Sequence, residues 1–119
     1  MGQFTVKVTL VHPMDPTRQA EVELLVDTGA TLSWVPREVV DKIGAPRIGR
    51  TSLRIADGRM VERETSVAIF RLDGATMGSP CIIAEPGDGH LLGATTLEAL
   101  GLGVDPISKR LFPQSLLAM

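Results

Sequence analysis

Tyrosine is missing from this chain, and the other aromatic residues are only Phe4, Phe70, Phe112 and Trp34. A surface that stacks bases needs aromatic platforms in a basic groove. With 12 Lys and Arg against 14 Asp and Glu, and a net charge of −2, the chain has neither, and no nucleic-acid partner is expected. Cysteine is nearly absent too. Cys81 stands alone, so no intramolecular disulfide can form, and its place before Ile82-Ile83-Ala84 predicts a buried, inert thiol. The two histidines, His12 and His90, fall in no Cys/His/Glu spacing of a zinc site, so neither a metal nor another cofactor is expected. His90 reads as a solvent-facing loop residue. No apolar run approaches the roughly 20 residues of a membrane helix. The N-terminus lacks the basic-then-apolar plan of a signal peptide. A soluble, cytoplasmic protein with no membrane partner is the expectation. Gly101-Leu102-Gly103 does not form a phosphate loop, and Ser33, Ser66 and Ser79 lack the setting of a nucleophile elbow.

Strand patterns and turn residues are what the chain does have. At 119 residues, with 44% apolar and 22% charged residues, it predicts one globular domain spanning residues 1–119. Phe4 to Val11 and Ala20 to Val26 read as strands joined by the proline-containing turn His12–Thr17. The second strand should start exposed and end buried. A short strand from Leu32 to Val35 leads into a helix from Arg37 to Ile43, with Pro36 at its start and Gly44 at its stop. Thr51 to Ile55 and Val61 to Phe70 flank an Asp-Gly turn, a strong hairpin signal. Glu62-Arg63-Glu64 reads as the solvated face of that hairpin. Pro80 to Ala84 predicts a strand, Ala94 to Leu100 a helix stopped by Gly101, and two last strands surround Asp105–Ser108. Many short strands with two short helices predict an all-β barrel or sandwich.

One stretch is out of character with a plain β-domain. The apolar run Leu24-Leu25-Val26 ends on Asp27-Thr28-Gly29-Ala30, and Thr31-Leu32-Ser33-Trp34-Val35-Pro36 follows. Asp-Thr-Gly alone is weak, since an Asx turn explains it. Its surroundings are more specific. An Asp-Gly hairpin follows it, then Leu91-Leu92-Gly93 and a short helix about sixty residues later. In that order the chain resembles the retropepsin-like aspartic proteases, single-domain relatives of the retroviral enzymes, over about residues 4–113. Leu-Gly-Leu-Gly-Val-Asp-Pro near the end is similar to the bacterial branch.

The resemblance implies a closed β-barrel and an aspartic endopeptidase. Peptide hydrolysis needs an activated water and a proton donor. Two carboxylates about 3 Å apart supply both by sharing one proton. Asp27 is the implied catalytic residue, with Thr28, Gly29 and Ala30 supporting its loop and Leu91, Leu92 and Gly93 packing beneath. Ala56, Asp57, Gly58 and Arg59 stand where a flap tip would be, although the charged Asp57 and Arg59 depart from the apolar flap tips of retroviral proteases. The chain has one Asp-Thr-Gly, so the second aspartate must come from another copy. The resemblance therefore implies a homodimer acting on a peptide or protein, with Gly2–Val6 and Leu111–Met119 as interface segments. Val35, Ile55 and Ile83 would line apolar subsites. The competing readings are a non-proteolytic dimeric peptide-binding module on the same fold and a monomeric β-domain with a structural turn.

Overall fold

The computed structural model describes residues 3–114. Its opening hairpin follows from β-branched residues at alternate positions and a turn built on Asp15. Strand β1 (Thr5–Val11) pairs antiparallel with β2 (Gln19–Val26), from Thr5 opposite Leu25 to Val11 opposite Gln19. The Asp15 carboxylate accepts from the Thr17 N–H at 3.1 Å and the Thr17 hydroxyl at 2.7 Å, closing the intervening turn. Alternation buries Val8 and Leu10 completely. β2 starts exposed at Gln19 and ends buried at Val26, as expected.

Strand β3 (Ser33–Pro36) runs straight into helix α1 (Arg37–Ile43). Pro36 has φ −63°, suited to the position before a helix, and Gly44 stops it at φ 71°. Strands β4 (Arg47–Arg54) and β5 (Met60–Leu72) form the Asp-Gly hairpin, and β6 (Ala75–Ala84) pairs along β5. Both β4 and β6 begin earlier than their sequence patterns indicate. Arg47 to Arg50 is charged and exposed, and Thr76-Met77-Gly78 breaks the apolar run, so neither carries a burial signature. The two-residue β7 (Leu91–Leu92) precedes α2 (Ala94–Leu100), which Gly101 stops at φ 70°. Finally β8 (Leu102–Asp105) and β9 (Arg110–Pro113) form a separate two-stranded sheet.

The pairings of the main sheet run in a closed circuit, β1-β2-β7-β3-β6-β5 and back to β1. This is the connectivity of a closed barrel, which leaves no open edge around the ring. β5 makes the closure possible by dividing one of its edges. Met60 to Ser66 pair with β4 on that edge, and Ile69 to Arg71 pair with β1. The other edge pairs with β6 only from Thr65 onward. Before Thr65, β5 and its partner β4 therefore leave the ring as a two-stranded arm.

Val8, Leu10, Leu24, Val35, Phe70, Ile83 and Leu92 pack inside the ring with no exposure. Val35 and Ile83 correct the expectation of apolar subsites. Both point into the core on neighbouring parallel strands, while Ile55 is half-buried beside the β4–β5 turn. Cys81 is also fully buried, and burial pushes its thiol up to about 12. Among the described residues no helix is long and apolar enough to cross a membrane.

The base of the projecting arm is fastened by ions, which corrects the reading of Glu62-Arg63-Glu64 as a solvated face. Arg63 grips Asp88 through two bonds, Nε to Oδ2 at 2.8 Å and Nη2 to Oδ1 at 2.9 Å. The side chains are only 17% and 14% exposed. Glu64 accepts from Arg37 at 2.9 Å, and the same guanidinium reaches Glu85. Glu62 alone keeps the expected exposed character. The Arg63 guanidinium holds the Asp88 carboxyl below its ordinary value, the Glu85 N–H adds to that, and partial burial opposes both. Paired bidentate bonds of this kind are the strong ones. Asp88→Asn should lower stability at neutral pH by about 1–3 kcal/mol. Because the folded-state value is depressed, this difference is full above the ordinary carboxyl value of 3.8. It shrinks as pH falls through the lower folded value. Urea melts of both proteins between neutral pH and pH 3 test this.

Candidate active site

Asp27 follows the last residue of β2 directly. Its chain direction is set by β7, which lies between β2 and β3. β7 runs parallel to β2, with Leu25 opposite Leu91 and Val26 opposite Leu92, and antiparallel to β3 through Trp34 and Leu91. The Asp27 N–H donates to the Leu92 carbonyl at 3.0 Å, which extends that ladder by one bond. The chain then turns sharply. Asp27 Oδ1 accepts from the Gly29 N–H at 2.9 Å, and the Asp27 carbonyl accepts from the Ala30 N–H at 3.1 Å. The backbone of Gly29 needs no positive φ. Its requirement is space, because a Cβ there would sit 3.2 Å from Asp27 Oδ1. Asp27 and Ala30 are half-buried, and Thr28 and Gly29 are exposed.

The segment 92–95 supports this loop along its length. Besides the Leu92 bond, the Ala94 N–H donates to the Ala30 carbonyl at 2.8 Å, and the Thr95 N–H donates to the Thr31 carbonyl at 2.9 Å. Gly93 donates its N–H to Ser33 Oγ at 2.9 Å. A Cβ on Gly93 would come within 2.6 Å of the Leu32 carbonyl carbon and oxygen and 2.9 Å of the Ala30 carbonyl oxygen. Leu92 is fully buried and Leu91 half-buried. The structure thus brings Asp27–Ala30 and Leu91–Gly93 together across more than sixty residues of sequence.

A cleft of about 680 Å³ opens beside Asp27, lined by Gln3, Val26, Asp27, Thr28, Val104, Pro106 and Ile107. Asp27 is the one carboxylate in that lining. Apolar side chains of the β8–β9 hairpin form the opposite wall, and Ile107 at its tip is 93% exposed. Nothing in the sequence marks this turn as a neighbour of Asp27. His90 is exposed, and its carbonyl accepts from the Leu25 N–H at 2.9 Å. Among the described residues no three His, Cys, Asp or Glu side chains gather as a metal site.

Ala56, Asp57, Gly58 and Arg59 stand apart from this cluster, at the far end of the arm. Their hydrogen bonds, among the described residues, stay within the hairpin. The Ile55 N–H donates to the Arg59 carbonyl at 2.9 Å and the Gly58 N–H to the Ile55 carbonyl at 2.9 Å. Asp57 accepts from the Arg59 N–H at 2.9 Å and from Arg59 Nε at 2.8 Å. The Arg59 N–H, then its side chain, hold the Asp57 carboxyl below its ordinary value. Arg54 donates to the Gly58 carbonyl at 3.0 Å. The turn is tied to itself, its charges satisfied locally.

A barrel that carries an Asp-Thr-Gly turn at the end of one strand, locked to a Leu-Leu-Gly segment and a short helix, defines the retropepsin-like class of aspartic peptidase. Comparison with known proteins assigns the family: residues 16–106 match the aspartyl protease family, and the chain belongs to it. Two solved structures share the fold. EIAV protease, complexed with an inhibitor, superposes with a TM-score of 0.66 at 19% identity, over 83% of this chain and 88% of its own. The solution structure of Simian Foamy Virus (mac) protease superposes with a TM-score of 0.54 at 15% identity, over 79% and 91%. No curated protein matches the sequence. These likenesses bear on the retropepsin-like fold and not on a bacterial branch of it. Of the interface segments implied by the resemblance, residue 2 and residues 115–119 lie outside the described residues.

Proposed function

We propose that the protein is an aspartic endopeptidase whose active site forms between two copies of the chain, residues 1–119 acting as one unit. The observation that carries this reading is the single carboxylate of the Asp27 cleft. Acid–base hydrolysis of a peptide bond calls for two. A two-fold axis through the cleft mouth brings a second Asp27 to the first without any other acidic residue. The exposed apolar wall of Val104, Pro106 and Ile107 then gains cover from the partner, which accounts for an apolar side chain as open as Ile107.

In the assembled site the two carboxylates share one proton and hold a water between them. The ionised member takes a proton from the water as its oxygen attacks the peptide carbonyl carbon. The protonated member gives its proton to the carbonyl oxygen. A proton then passes to the amide nitrogen as the C–N bond breaks, and the two products leave. No covalent intermediate with the enzyme forms. Thr28, Gly29 and Ala30 hold the carboxylate in line, and Leu91, Leu92 and Gly93 hold the loop. The arm ending in Ala56–Arg59 covers the substrate as a flap, its charged turn pre-ordered by the Asp57–Arg59 pair and its base pinned by Arg63 and Asp88.

The test joins assembly to cleavage. Sedimentation equilibrium should give a concentration-dependent dimer. Incubation of that dimer with a mixed peptide library from pH 4 to 7 should yield internal cleavage that pepstatin suppresses. A strict monomer at high concentration, or a dimer that retains peptides without cutting them, overturns the proposal.

A further inference from the structure

Three buried hydroxyls lie beneath the Asp27 loop on three different elements. Ser33 and Thr96 have no exposure and Ser79 has 2%. Ser33 Oγ is 2.6 Å from Thr96 Oγ1, and Thr96 Oγ1 is 2.8 Å from Ser79 Oγ. Burial of three hydroxyls in a small core is costly unless each is fully bonded. Here all are, since no buried side-chain polar atom among the described residues lacks a partner.

The direction of the protons follows from the ends of the chain. Ser79 donates to the Pro80 carbonyl at 3.1 Å, and a carbonyl can only accept. The Ser79 oxygen therefore receives the Thr96 proton. Having donated its one proton, Thr96 accepts from Ser33. Ser33 in turn accepts the Gly93 N–H at 2.9 Å. A one-way relay results: Gly93 N–H to Ser33, Ser33 to Thr96, Thr96 to Ser79, Ser79 to the Pro80 carbonyl. Bonds aligned in this way polarise one another.

The relay matters because of what it ends on. Four bonds tie the segment 92–95 to the loop 27–33, and three of them are between backbone groups at Asp27, Ala30 and Thr31. Those three survive any change of side chain. The fourth, from Gly93 to Ser33, is the one tie made by a side chain. It sits where Gly93 presses closest on Leu32 and Ala30. Carboxylates that share a proton tolerate little misplacement.

We propose that Thr96 is a positioning residue for the reaction. As the only hydroxyl in the relay bonded to two others, it draws the Ser33 proton to itself, leaves the Ser33 oxygen facing the Gly93 N–H and so sets the height of the Asp27 loop. It touches neither the carboxylate nor the cleft. The inference rests on Asp27 being the catalytic carboxylate, as proposed above.

The test compares wild type with Thr96→Val, which keeps the shape and removes the hydroxyl, and Thr96→Ser, which keeps the hydroxyl. Casein hydrolysis is followed from pH 4 to 7, and amide exchange at Gly93, Ala94 and Thr95 is followed by NMR. Thr96→Val should lower kcat by about tenfold with KM within about twofold, since ground-state binding is untouched. The pH profile of kcat should change, because two carboxylates share a proton only when held close together. Exchange at the Gly93 amide should quicken by about tenfold or more as the local tie opens more often. Thr96→Ser should restore all three values to near wild type.

Wild-type kcat, pH profile and Gly93 exchange in Thr96→Val overturn the proposal, even where the melting temperature falls. Equal losses in Thr96→Val and Thr96→Ser do the same, since shape and not the hydroxyl is then responsible. If Thr96→Val fails to fold, Ser79→Ala removes the far link instead. It should lower kcat by about threefold and speed Gly93 exchange, and unchanged values overturn the proposal. A wild-type protein that cleaves neither casein nor the mixed peptide library refutes the catalytic role of Asp27 separately, and the Gly93 exchange rates then decide whether Thr96 holds the loop.

Discussion

Replacing Asp27 by asparagine is expected to reduce peptide hydrolysis by about a thousandfold or more while the dimer stays folded. The two outcomes separate because the change is nearly isosteric. The oxygen of the introduced amide can still accept the Gly29 N–H that Asp27 Oδ1 accepts at 2.9 Å. The backbone bond from the residue 27 N–H to the Leu92 carbonyl, 3.0 Å, does not involve the side chain. What disappears is the capacity to share and transfer a proton, which an amide lacks. Melting and sedimentation should therefore match wild type, and cleavage of the peptide library should vanish at every pH. Mixing experiments sharpen the point. If each active site uses one Asp27 from each protomer, co-refolding equal amounts of wild type and variant should leave about one quarter of the activity, the share of wild-type pairs. A value of about one half means that each chain works alone. Undiminished activity in pure Asp27→Asn removes Asp27 from the chemistry altogether.

Much of this arrangement is legible in the sequence, and the reasons are local. Alternation in residues 5–11 and 20–26, the Asp-Gly turn and the glycine stops at 44 and 101 each act over a few residues, so their patterns predict strands, turn and helix ends directly. The charged start of β4 and the mixed start of β6 carry no such pattern. Their pairing is imposed by β5, which is long enough to reach past the ring. Chemistry that depends on distant partners is less visible. Glu62-Arg63-Glu64 reads as solvated until Asp88 and Arg37 are brought to it. Ser33 and Ser79 read only as serines without a nucleophile setting and Thr96 only as part of a helix, because the Ser33–Thr96 pair spans 63 residues and exists only through the β3, β6 and α2 packing. Val35 and Ile83 illustrate the reverse error. Apolar side chains near the Asp-Thr-Gly turn suggest subsites, but parallel pairing of β3 with β6 turns both inward. Motif order singles out Asp27 and Gly93 as candidates, and three-dimensional register decides what surrounds them.

Gly93→Ala should be strongly damaging, although it adds only a single methyl. The usual objection to replacing glycine does not apply, because φ at Gly93 is −93° and suits any residue. The cost is entirely steric. The new Cβ would lie 2.6 Å from two Leu32 atoms and 2.9 Å from the Ala30 oxygen. All three belong to the backbone, so no rotamer change can clear them. Relief requires the loop and the segment 92–95 to part, and parting stretches the bonds of 2.8 and 2.9 Å from Ala94 and Thr95. Overpacking of this kind costs about 1–3 kcal/mol, and more when backbone must move. A drop in melting temperature of about 10 °C or more is expected for a chain of this size. Hydrolysis should be lost even where the variant remains folded, because the displaced loop is the one that carries Asp27. Two other glycines calibrate the result. At Gly78 a Cβ meets nothing within 4 Å, so Gly78→Ala should melt and cleave as wild type does. At Gly29 the nearest atom is Asp27 Oδ1 at 3.2 Å, so Gly29→Ala should perturb cleavage far more than melting. A Gly93→Ala protein with the stability and activity of Gly78→Ala would mean that the loop and its support are not in the close contact on which the whole site depends.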